Sequence, residues 1–183
     1  GMLFAITHEY DGDIRWKDDS AIARDLMGRA GRNCKAATPA SYNESKLRLQ
    51  DLGDMVNGSR LQAAAEPTAE VDWSLICERS QLMKRIEKSL SKLREYTSSD
   101  GNFKSNKDEA KHEAEMLAAI SVAMQQDGMP DGDDGDYQEF CNIMKDAAKE
   151  IIDATKLGSV EPATSAVGNI SRACDDCHEI YRG

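Results

Sequence analysis

Hydrophobic side chains recur at three- and four-residue spacing along most of this chain, and the clearest stretch runs from Asp136 to Gly158. There Phe140, Met144, Ala147, Ala148 and Ile151 form one stripe, with Lys145, Asp146, Lys149 and Glu150 between them, which predicts an amphipathic helix. Asp136 followed by Glu139 reads as a capping box, and Gly158 supplies a residue that turns left-handed at the other end. Ser159 can cap a further helix that places Ala163, Val167, Ile170, Cys174, Cys177 and Tyr181 on one stripe. Upstream, Asp72 to Tyr96 carries Ile76, Met83, Ile86, Leu90 and Leu93, and Ser105 to Asp127 carries Ala110, Leu117, Ile120 and Met124.

The beginning of the chain is less regular. Ser20 to Ala36, with Ile22, Leu26, Met27, Ala30 and Cys34, and Tyr42 to Val56, with Leu49, Leu52 and Val56, predict two more helices. "GSRLQAAAEPTAE" reads as a connector broken at Gly58 and Pro67. The expected organisation is one helical domain over 1–183. A helical extension over 1–70 contributes two additional N-terminal helices, and four consecutive helices fill 71–183.

Composition supports an all-α fold. Aromatics are only 5% of the 183 residues, so the runs of β-branched and aromatic residues that build sheets are missing. A formal charge of −10 argues against nucleic acid as a partner, because phosphate recognition needs clustered Lys and Arg. No apolar run reaches the roughly 20 residues of a membrane span. The acidic tract "DGMPDGDDGD" fails the EF-hand template, since counting from Asp131 puts Gly135 fifth and Asp136 sixth, and it reads as a solvated turn.

One motif carries chemistry. "SRACDDCHEIYRG" places Cys174, Cys177 and His178 in C-x-x-C-H, the attachment signature of a c-type haem. With 5 Cys and 3 His in the chain, chance gives this arrangement with a probability of about 0.002. The spacing has a chemical reason: two thiols add to one porphyrin while the neighbouring imidazole binds its iron, and residues three apart share a helix face. Zinc, with a fourth ligand from Cys34, Cys77 or Cys141, is a competitor, although structural zinc usually draws on compact turns. A thiol–disulfide redox pair would sit beside a βαβ pattern that this chain lacks.

The final helix ending in C-x-x-C-H-x-x-Y-R, matched by Cys174, Cys177, His178, Tyr181 and Arg182, resembles cytochrome c′ and related class II c-type cytochromes. The resemblance implies an antiparallel four-helix bundle with one covalent haem c near one end. His178 would be the axial ligand of a five-coordinate, high-spin iron, and Arg182 would lie near a propionate or simply on the surface. The family takes its distal residue from the bundle's first helix. That residue would be Met83 or Leu82 if the bundle begins at Asp72, and Met27 or Leu26 if it begins near Ser20; a methionine on a helix stripe is usually core filling, and no sixth ligand is assigned.

The expected function is electron transfer or binding of a small gas such as nitric oxide or carbon monoxide, without catalysis. The alternative is a haem-free or metal-binding helical bundle acting as an interaction domain. A redox partner protein follows from the first reading, its identity open, and a homodimer is among the arrangements it allows. Gly1 ahead of Met2 reads as a remnant of tag cleavage, so the expectation is a bacterial protein exported to the periplasm whose signal peptide has been removed.

Overall fold

A computed structural model describes residues 1–61, 66–68 and 71–181. The described residues form helices and turns with no strand. In chain order the helices are α1 (Met2–Glu9), α2 (Ser20–Asn33), α3 (Pro39–Val56), α4 (Trp73–Ile76), α5 (Arg79–Tyr96), α6 (Asp100–Ser105), α7 (Lys107–Met124), α8 (Gly135–Leu157) and α9 (Val160–Tyr181). They fall into two compact units, Gly1–Glu78 and Arg79–Gly183. No helix among the described residues is long and apolar enough to cross a membrane.

In the first unit α2 packs against α1, α3 and α4, with Ala5, Ala23, Met55 and Trp73 buried. α3 starts where Thr38 and Ser41 form a reciprocal capping box around Pro39. Its expected core stripe faces outward: Leu49 is 71% exposed and Val56 59%, and the helix buries only Ser41 and Met55. Among the described residues, α3 packs substantially only against α2 and the short turn Cys34–Ala36, too little to cover a full stripe. Arg24 is buried, its Nε donating to Asp25 Oδ1 at 2.7 Å and its Nη2 to the Thr68 carbonyl at 2.6 Å.

The single helix expected from Asp72 to Tyr96 is two. Asp72 caps only the short α4, and Cys77 then adopts an extended backbone before α5 begins. Trp73 explains the break, since it is buried in the first unit with its Nε1 donating to Glu9 Oε1 at 3.3 Å. The helix expected from Ser105 to Asp127 is α7, which starts after Asn106 at Lys107 and ends at Met124, with the short α6 ahead of it.

In the second unit α7 packs on α8, α8 on α9, and α5 touches both α7 and α9. Small residues make these contacts close: Ala110, Ala114 and Ala123 on α7, Ala147, Ala148 and Ala154 on α8, Ala163, Ala166 and Ala173 on α9 are all buried. α8 ends as expected at Gly158, whose φ of 69° closes the helix with an N–H bond to the Ala154 carbonyl. Its start differs: Asp134, not Asp136, is the cap, accepting from the N–H groups of Asp136 and Tyr137.

A buried carboxylate ties α5 to α7. Glu113 accepts from Lys92 Nζ at 2.6 Å, Arg85 Nη1 at 2.6 Å and Ser89 Oγ at 2.9 Å. Burial alone would raise its pKa, but these three donors outweigh burial and hold it at about 2, below the ordinary 4.5. A folded value below the unfolded one stabilises fully above about pH 4.5, and the contribution disappears as pH falls through about 2. Glu113→Gln is therefore expected to destabilise the protein by about 3 kcal/mol at neutral pH. In urea denaturation the gap between variant and wild type should narrow as the buffer is taken towards pH 2. A gap that stayed constant with pH would contradict this account.

Candidate haem-attachment cleft

Helix periodicity determines where the C-x-x-C-H residues point. Cys174 and Cys177 lie three apart on α9, on the face that buries Val167, Ile170 and Ala173. Cys177 is buried, Cys174 half-buried and His178 exposed at the helix edge. All three line one small cleft within the second unit, a cavity of about 30 Å³. Its other walls come from Met83 and Ile86 of α5, Met124 of α7, and Phe140, Cys141 and Met144 of α8.

The cleft is apolar, and its thiols respond to that. Burial pushes Cys141 up to about 12, with the neighbouring Cys177 and Cys174 adding to the effect. Burial likewise takes Cys174 up to about 11 and raises Cys177. At neutral pH all three are therefore protonated thiols, poor nucleophiles on their own.

The end of α9 beyond His178 is tied down. The Tyr181 hydroxyl donates to Asp134 Oδ1 at 2.6 Å, so the residue that caps α8 also holds the last turn of α9. That bond to Asp134 pushes the Tyr181 phenol up to about 12 and holds the Asp134 carboxyl low. The Tyr181 ring meets Tyr137 edge-on with centroids 5.2 Å apart. Arg79, ion-paired with Asp131, also donates to the Tyr181 carbonyl at 3.5 Å.

The sequence-derived site residues fall in different places. Cys174, Cys177, His178 and Met83 share the cleft. Leu82 is buried but does not line it. Met27 and Leu26 are half-buried on α2 in the first unit. Arg182 lies outside the described residues. All five cysteines are free thiols, with Cys34 exposed and Cys77 half-buried. Among the described residues, no three His, Cys, Asp or Glu side chains are grouped to hold a metal ion.

Sequence reasoning placed Ile86, Met124, Phe140 and Met144 on apolar stripes without assigning them to a site. Cys141 entered as a possible fourth zinc ligand, and Arg79 and Asp134 were given no role. The acidic tract contained the signal for Asp134, since a carboxylate just ahead of a helix is a capping group.

The donor set suits a haem: two thiols on one face, an imidazole beside them, and walls apolar enough for a porphyrin. A ring of that size fills more than this cleft, so loading requires its walls to repack, which the flexible Met83, Met124 and Met144 allow. Compared with protein-family models, curated proteins and solved structures, the chain matches none.

Proposed function

We propose that this is an exported c-type haem protein of the class II kind, carrying one haem c attached through Cys174 and Cys177 with His178 as axial ligand. In this reading α5, α7, α8 and α9 are its four-helix bundle, and its role is electron transfer or small-gas binding rather than catalysis. The carrying observation is that all three residues of the C-x-x-C-H signature line the same apolar cleft.

The bound haem would supply a redox-active iron able to take a diatomic ligand. The chain's residues do the rest. Cys174 and Cys177 fix the ring to α9, while Ile86, Phe140 and Met144 keep water from it. The Tyr181–Asp134 bond and Arg79 hold the last turn of α9, which orients His178 one turn earlier. A net charge of −10 favours a basic face on any redox partner.

The test is optical. Protein matured in a haem-loading, oxidising host should show a Soret band that stays with the polypeptide through acid–acetone extraction. Protein that emerges from such a host without it defeats the proposal. Met83→Ala, which removes bulk from the α5 wall, should raise carbon monoxide affinity of the loaded protein. Leu82→Ala should leave that affinity unchanged while costing about 2–5 kcal/mol of stability. Equal shifts in affinity for the two variants would mean that the α5 wall does not face the ligand.

A helical interaction module is the second reading. It is favoured by α3, which leaves Tyr42 at 65% and Leu49 at 71% exposed. The same spectrum separates the two.

A further inference from the structure

The cleft is rich in sulfur beyond what packing needs. Met83, Met124, Cys141, Met144, Cys174 and Cys177 are six of the ten residues lining it, whereas the whole chain has 5 Cys and 8 Met in 183 residues. Every cysteine of the second unit lines it. Apolar volume alone does not require this, because elsewhere the same unit fills its core with Leu90, Leu93, Leu117, Ile120, Ile151 and Ile170.

Thiol and thioether sulfur are soft donors, which select soft monovalent ions such as Cu(I) over hard ones. Zinc, by contrast, needs a tetrahedral set of thiolates and imidazoles, and no group of three His, Cys, Asp or Glu exists among the described residues to begin one. The walls add a second constraint, since an apolar cleft disfavours net charge. One thiolate neutralises Cu(I), and uncharged sulfurs can complete its shell. Cys177, buried on α9, lines the cleft with Cys141 and Met144 of α8 and with Met83 and Met124.

We propose that the haem-free chain binds one Cu(I) ion in this cleft, through the Cys177 thiolate together with the neutral sulfur of Cys141 and the surrounding methionines. Binding forms a Cu–S bond at Cys177 and releases its thiol proton to solvent; copper stays Cu(I), so no oxidant or reductant takes part. Copper binding does not depend on the haem reading, although the two ligands would compete for Cys177.

The experiment titrates reduced, haem-free full-length chain with Cu(I) under anaerobic conditions against a chromophoric Cu(I) chelator. One ion per chain is expected. Cys177→Ser should weaken binding by more than the roughly 10–100-fold that loss of an outer partner costs at a metal site. Replacing Met83, Met124 and Met144 together by Leu keeps the apolar volume and should weaken binding while leaving the circular dichroism spectrum unchanged. Cys34→Ser with Cys77→Ser should bind like wild type. Failure of the wild-type chain to retain Cu(I), or wild-type affinity in both the Cys177 and the triple-Leu variants, overturns the proposal. Whether covalent haem forms is read separately from the spectrum, so either proposal can fail alone.

Discussion

Cys174→Ala and Cys177→Ala, each made singly in a haem-loading host, are expected to leave the haem on one thioether and to move the reduced alkaline pyridine spectrum to longer wavelength. The double variant is expected to carry no covalent haem at all. The two cysteines sit three residues apart on α9 and line one cleft, so each can reach the same ring from the same face. Alanine is the best helix former and removes only one sulfur from each site, so α9 itself should persist. Far-ultraviolet circular dichroism of the haem-free variants checks that directly. Loss of the Soret band with helix content intact would assign the effect to attachment rather than folding. A pyridine spectrum unchanged in both single variants would show that neither thiol is an attachment point.

His178→Ala is the second large effect, and it separates attachment from ligation. His178 is exposed and contributes little to the core, so its removal should cost little in folding. Both thiols remain, so haem should stay covalently bound while the axial bond from His178 is lost. The expected result is haem that resists acid–acetone extraction, with altered ligand-sensitive bands and weaker stabilisation of the fold by haem. A native spectrum in this variant would place the axial ligand elsewhere. If attachment itself were lost as well, His178 would be needed for loading and the simple division of roles would be wrong.

The legible parts of the chain were those where periodicity and end signals agree. From Asp136 to Gly158 the stripe, the acidic start and the terminal Gly all describe one helix, and α8 follows within a residue at each end. The break before α5 could not be read this way. Ile76 and Met83 are seven residues apart, which preserves helical phase across the extended Cys77, so the pattern continues where the backbone does not. What breaks it is Trp73, held in the first unit, and a tertiary anchor leaves no periodic trace. α3 shows the opposite limit: its stripe is helical as expected, but periodicity does not say whether anything covers it.

The same distinction runs through the cleft. Cys174, Cys177 and His178 stood out because C-x-x-C-H is a spacing that a chemical signature specifies, and all three line the cleft. Met83 and Leu82 were not separable, because neighbours on a helix point about 100° apart and only the positions of the facing helices decide which meets the cleft. Cys141 and Met144 came from a different helix, with no spacing to the motif that a sequence could show. Asp134 was obscured by its neighbours, since Asp133, Asp134 and Asp136 offer similar carboxylates and local backbone geometry selects the cap.

The central claim is that Cys174 and Cys177 hold one haem covalently. Its most direct test is the intact mass of the full chain, recovered under denaturing conditions from a host that matures c-type cytochromes. The account predicts a mass greater than that of the polypeptide by one haem, with a digest placing the added mass on the peptide that contains Cys174 and Cys177. A chain recovered from that host at its bare polypeptide mass, with both thiols still free to alkylate, would contradict it.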